Sequence, residues 1–272
     1  MYRRLTSVAA VLALPLVAAS TTDAHADAPI DGVGPTLPYT EALLGEGGPV
    51  IPMKNAAKIS RTEYGYRYQA GQQHSHLVVT RVATGLRFRD TGTQKWLSRL
   101  PRACQHRRVR VGIDAICRVP TTTNVSNPML LEIWPRLGND YVDARTLTAE
   151  FEMAVLADAG RDNVHTGAGR DFINGAQDAD RASGGGGNDW IRTGIGNDRA
   201  RGDGGDDYVV GADDRDLVRG GSGHDRVYGG RGNDLLYPDA GTDFVVGGTG
   251  RDTAYVDRAD RVSRDCERVH HL

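Results

Sequence analysis

Eleven aspartates stand nine residues apart without a slip: Asp162, Asp171, Asp180, Asp189, Asp198, Asp207, Asp216, Asp225, Asp234, Asp243 and Asp252. Two residues after each comes a small or apolar side chain, from Val164 and Ile173 through to Ala254. Two residues before most of them comes glycine: Gly160, Gly169, Gly187, Gly196, Gly205, Gly223, Gly232, Gly241 and Gly250. Only Asp178 and Asp214 interrupt that column. A fixed short period describes one supersecondary unit stacked on copies of itself. Each unit therefore reads as a glycine turn, an aspartate and a short strand with one inward apolar residue. "GGSGHDRVY" (220–228) and "GGRGNDLLY" (229–237) are the cleanest copies.

The chemistry of such a unit is that of a hard cation. Glycine turns aim carbonyl oxygens at one point, and aspartate adds an anionic oxygen. Several such oxygens suit Ca²⁺, whereas Mg²⁺ demands a stricter octahedron. The repeats contain no cysteine, and their histidines, His165 and His224, are not clustered, which argues against a transition metal. Charge agrees. Residues 157–255 hold 11 Lys/Arg against 18 Asp/Glu, while residues 27–156 hold 16 against 12. A near-neutral chain with one acidic block excludes nucleic acid as the expected partner.

The nonapeptide resembles G-G-x-G-x-D-x-U-x, the calcium-binding repeat of the RTX or hemolysin-type family. The resemblance implies an all-β chain: a right-handed parallel β-roll over 157–255, preceded by a strand-rich N-terminal β segment over 56–156. Two nonapeptides make one turn, and several Ca²⁺ ions sit between successive turns on each side. The implied metal residues are the eleven aspartates together with Gly169, Gly187, Gly205, Gly223, Gly232, Gly241 and Gly250. Alternate units sort onto two sides. Asp171, Asp189, Asp207, Asp225 and Asp243 form one; Asp162, Asp180, Asp198, Asp216, Asp234 and Asp252 form the other. Adjacent pairs allow at most four sites on the first side and five on the second. The first side is expected to bind better, because Asp178 and Asp214 replace the turn glycine beside Asp180 and Asp216.

Repelling carboxylates and entropically costly glycines predict that the repeats fold only on binding cation, at extracellular calcium levels. Arg161, Arg170, Arg215 and Arg251, each directly before an aspartate, read as solvated surface charges. Export is expected as well. Arg3 and Arg4, the apolar stretch Val8–Ala19 and Ala24-His25-Ala26 compose a signal peptide over 1–26. A Pro- and Gly-rich flexible leader is expected over 27–55. No later stretch is long and apolar enough for a membrane-spanning helix.

Residues 56–156 carry short runs of β-formers: "TEYGYRYQA", "HLVVTRV", "GLRFRDTG", "RRVRVGIDAICRV" with Val109, Val111 and Ile113 alternating, "PMLLEIW", "DYVDA" and "EFEMAVL". A short helix competes over "TLTAEFEMAVLA". Cys104 and Cys117 are expected to form a disulfide contributing roughly 3 kcal/mol, with Cys266 a buried free thiol. His74 and His76 point the same way on a strand, and a surface role is expected for them. "RLGNDYV" (136–142) reads as a degenerate repeat, so the coil is expected to begin before residue 157. The layout of this segment resembles the non-repeat N-terminal parts of secreted actinobacterial hemolysin-type calcium-binding proteins. After Ala254 the glycines stop. Residues 256–272 are expected to cap the coil, with Val256, Val262 and Cys266 buried.

No H-E-x-x-H or G-x-S-x-G motif occurs, no catalytic residue is assigned, and "DDRDLVRG" lacks what an EF-hand needs. The resulting expectation is a secreted, monomeric, non-enzymatic calcium-binding protein with a structural role or a cell-surface or extracellular ligand. Two alternatives stay open: a hydrolase of lipase or protease type with the repeats as accessory, and a calcium-dependent adhesin or toxin-like protein.

Overall fold

The computed structural model describes residues 55–71 and 73–272. The signal peptide expected at 1–26 and all but the last residue of the leader expected at 27–55 lie outside the described residues. No helix among the described residues is long and apolar enough to cross a membrane.

Most of the expected runs of β-branched and aromatic residues form strands. The N-terminal ones are β1 (Ala56–Arg61), β2 (Gly65–Gln69), β3 (His76–Val82), β4 (Gly85–Asp90), β5 (Lys95–Trp96), β6 (Cys104–His106) and β7 (Ile113–Cys117). Antiparallel pairing joins β1 to β2, β3 to β4, β4 to β7 and β6 to β7. The disulfide Cys104–Cys117 forms as expected, bridging directly opposite residues of β6 and β7. Val109 and Val111 fall outside the strands, and Val111 is exposed. Gly112, at φ 81°, breaks the extended path just before β7.

From here the pairing turns parallel. β8 (Met129–Trp134), β9 (Tyr141–Asp143), β10 (Phe151–Leu156), β11 (Asn163–His165), β12 (Phe172–Asn174), β13 (Arg181–Gly186), β14 (Trp190–Ile195), β15 (Arg199–Gly204), β16 (Tyr208–Asp213), β17 (Leu217–Gly223), β18 (Arg226–Gly232), β19 (Leu235–Gly241), β20 (Phe244–Gly250), β21 (Thr253–Val256), β22 (Arg261–Val262) and β23 (Arg268–His271) follow. Each strand from β10 to β21 pairs with the strand two before it, so from β8 onward the even-numbered strands build one sheet and the odd-numbered strands the other. The register within the repeats is eighteen residues, as in Ile173↔Ile191↔Val209 and Val164↔Ala182↔Ala200. This is the two-nonapeptide turn of a parallel β-roll. The segment 151–156 is a strand, not the competing helix, because the β8 and β12 ladders on either side claim its backbone groups.

The inward apolar residues fill the narrow interior. Ile191, Val209, Val218, Val227, Leu236, Val245 and Ala254 are wholly buried, and large Ile191 lies in the strand between those of small Ala182 and Ala200. The coil does not start at residue 157. β2 pairs in parallel with β8, and β3 with β9, so both sheets run unbroken into the N-terminal segment. There the interior widens and is filled by Tyr66, Tyr68, Phe88, Leu131, Ile133, Phe151 and Met153. At the far end β22 and β23 close the stack with Val256 and Cys266 buried and Val262 partly so. Short, Arg- and His-bearing last strands leave a poor template for further pairing.

Candidate calcium ladder

Each repeat aspartate sits at the entry of its strand and points into the coil. All eleven are buried, at 3% exposure or less. One carboxylate oxygen, Oδ1, accepts the backbone N–H of the aspartate one turn earlier. On the odd-strand side Asp162 N–H donates to Asp180 Oδ1 (2.8 Å), Asp180 to Asp198 (2.8 Å), Asp198 to Asp216 (2.9 Å), Asp216 to Asp234 (2.8 Å) and Asp234 to Asp252 (2.9 Å). On the even-strand side the same bonds link Asp171 to Asp189 (2.7 Å), then Asp207, Asp225 and Asp243 (2.8 Å each). The sorting onto two sides read from the sequence is the one the fold builds.

The second oxygen is the informative one. Oδ2 of Asp162, Asp180, Asp189, Asp198, Asp207, Asp216, Asp225, Asp234, Asp243 and Asp252 is buried without a hydrogen-bond partner. A buried, unpaired anionic oxygen is expensive. Repeated down both sides, it marks a row built for something that supplies positive charge. Asp171 is the exception, since its Oδ2 accepts Gly167 N–H (3.1 Å) and its Oδ1 accepts Met153 N–H (2.7 Å).

Two glycine columns shape this row. The first is the one two residues before each aspartate. A Cβ on Gly187, at φ 103°, would stand 2.2 Å from the carbonyl oxygen of Gly169. Asp178 and Asp214 hold the same turn at φ 73° and 79°, a left-handed conformation that aspartate tolerates, and Asp180 and Asp216 still present a free Oδ2. The second column lies five residues before the aspartate, and sequence reasoning assigned it no site role. A Cβ on Gly202 would lie 2.2 Å from Asp207 Oδ2 and 2.5 Å from the Gly220 carbonyl oxygen of the next turn. Gly220 (Asp225 Oδ2, Pro238 carbonyl) and Gly229 (Asp234 Oδ2, Gly247 carbonyl) repeat the arrangement. A carboxylate oxygen and a carbonyl oxygen from successive turns thus flank one small space. The first glycine of "GGSGHD" was the available signal.

Burial pushes the carboxyls up. Asp162 and Asp216 rise to about 8, Asp180 and Asp207 to about 7, and Asp225, Asp234 and Asp243 to about 6. Asp171 and Asp189 are raised too, again by burial first, with neighbouring acids adding to it. The amide bond to each Oδ1 opposes the rise without cancelling it. Among the described residues no three His, Cys, Asp or Glu side chains converge as a metal cluster. The carboxylates come one per turn on each side, so a cation in either row takes its other oxygens from the backbone, the donor set that suits Ca²⁺.

At the C-terminal end Asp260 and Glu267 take over the amide-accepting role, from Asp243 N–H (3.1 Å) and Asp252 N–H (2.7 Å). Asp260 Oδ2 is itself occupied by Asp257 N–H (2.8 Å). His74 and His76 do not converge on a metal: His74 Nδ1 accepts Asn139 N–H (2.7 Å), and His76 packs on the Tyr141 ring. Arg170, itself exposed, pairs with the buried Glu152 at 3.5 Å.

The geometry is that of a calcium-binding parallel β-roll, and comparison with known families agrees. Residues 156–191, 183–218 and 219–254 match the family model of the RTX calcium-binding nonapeptide repeat (4 copies), so residues 156–254 of the chain carry RTX-type calcium-binding repeats. No curated protein matches it.

Proposed function

We propose that this is a secreted protein whose repeats fold on binding several Ca²⁺ ions, and that the resulting rod serves a structural or extracellular binding role. The single observation that supports it is the double row of buried Oδ2 atoms without partners. Aspartates 162 to 252 and the turn glycines of the repeats would hold the ions, each shared between adjacent turns. Bound Ca²⁺ would supply the charge that these oxygens lack, so binding free energy becomes folding free energy. Arg3 and Arg4, the apolar stretch Val8–Ala19 and Ala24-His25-Ala26 support export. Calorimetric titration with Ca²⁺ and with Mg²⁺, followed by circular dichroism, tests the reading. Several Ca²⁺ ions should bind with a gain of β signal and Mg²⁺ should not substitute. Equal β content in EDTA and in millimolar Ca²⁺ would refute it.

A further inference from the structure

We infer that the calcium ladder begins one turn before the recognisable repeats, at an additional site shared by Asp140 and Asp162. The inference rests on the calcium reading above and extends it to a residue outside the period-nine register.

The turn 136–140 is built like a repeat turn. Arg136 and Gly138 are left-handed, at φ 71° and 137°, as are Asp158 and Gly160 in the turn stacked on it, at 78° and 128°. Gly138 N–H donates to the Ala159 carbonyl (3.0 Å). Asn139 Oδ1 accepts Arg161 N–H (3.0 Å), as Asn188 Oδ1 accepts Asp206 N–H (2.9 Å) within the repeats. Asp140 then does what every ladder aspartate does. Its N–H donates to Asp162 Oδ1 (2.7 Å), its own Oδ1 accepts Ser75 N–H (2.5 Å), and its Oδ2 is buried without a partner. The residue is 2% exposed. An anionic oxygen sealed in this way needs a cation as much as that of Asp162 does.

Ser75 shows where the ladder stops. It occupies the next position along the column but carries no carboxylate, and its Oγ donates to Asp90 Oδ2 (2.8 Å). Asp140 is therefore the last carboxylate of the stacked aspartate column, and buried Asp90 lies beyond it, bonded to Ser75, His76 and Thr93. Asp140 escapes a search by period because it precedes Asp162 by 22 residues, not 18. The extra residues loop out between β9 and β10, leaving the ladder register intact.

Position gives the site its consequence. β9 stacks on β3 of the N-terminal segment and on β11 of the repeats. An ion between Asp140 and Asp162 would sit where the large apolar side chains of the N-terminal segment give way to the repeats. Pro135 and Ala157 stand where most later turns have glycine, five residues before the aspartate, so a Cβ narrows this cradle. The site is expected to bind more weakly than that of Asp207 and to fill last.

The test uses the full chain. Native mass spectrometry in saturating Ca²⁺ should count one ion fewer in Asp140→Asn than in the wild type, because asparagine keeps an acceptor for Ser75 N–H but loses the charge. Anomalous diffraction from Tb³⁺-loaded wild-type crystals should show a peak between Asp140 and Asp162, and it decides the matter if the variant fails to fold. An unchanged ion count, or peaks along the repeats with none at Asp140, overturns the inference while leaving the proposed function standing. A wild-type chain that binds no calcium at all overturns both.

Discussion

Raising the pH in the absence of calcium should unfold the coil. Burial lifts the Asp216 carboxyl from 3.8 to about 8, Asp162 to about 8 and Asp207 to about 7. At ~1.4 kcal/mol for each tenfold change in acid strength, ionising Asp216 inside the metal-free coil costs on the order of 5 kcal/mol. A folded domain has a total stability of only about 5–15 kcal/mol, so two or three such groups exhaust it. The sign follows from linkage. Below about pH 4 the acids are protonated in both states and exact no penalty. Between about pH 4 and 8 the unfolded chain releases protons that the folded coil retains, which favours unfolding. Above about pH 8 the penalty from Asp162, Asp207 and Asp216 is fully present, and that from Asp189, raised to about 10, is still growing. Thermal melts followed by circular dichroism in EDTA at pH 4.5, 6 and 8 should show a midpoint that falls with each step. In millimolar Ca²⁺ the fall should vanish, because the ion replaces the proton. A metal-free midpoint that is flat or rises with pH would refute the reasoning.

Two substitutions probe the parts separately. Gly202→Ala puts a Cβ into the space beside Asp207 Oδ2 and the Gly220 carbonyl; it should cost about 1–3 kcal/mol and lower the ion count by one, read by calcium titration and melting. Ile191→Ala empties a wholly buried interior position without touching a ligand; it should cost about 2–5 kcal/mol in denaturant melts with Ca²⁺ present and leave the ion count unchanged.

How much of this was legible in the sequence depended on whether spacing encoded it. The period of nine dictated the two sides, the inward residues and the aspartate row, because every unit repeats the same turn. In the N-terminal segment most strands were legible, since Tyr66, Tyr68, Val79 and Phe88 alternate. That β2 and β3 head the coil was not, because their interior is filled by large side chains and lacks the glycine turns that betray a parallel stack. Asp140 left only the fragment "RLGND", displaced from register by the loop before β10. The glycines five residues before most of the aspartates recur in the sequence, but their reason is a carboxylate lying over them in the folded chain. Asp90 was silent for a similar cause. Its partners Tyr68 (2.5 Å), Ser75 (2.8 Å) and Thr93 (2.5 Å) come from three separate parts of the segment.

The central claim, that the aspartate ladder is a calcium site whose filling folds the coil, is most directly tested by hydrogen exchange at the ladder amides. The N–H groups of Asp180, Asp189, Asp198, Asp207, Asp216 and Asp225 each donate to the carboxylate of the following turn. At pH 7.5 they should be protected in millimolar Ca²⁺ and exchange freely in EDTA, with protection returning as calcium is restored. Equal protection of these amides with and without calcium would contradict the account.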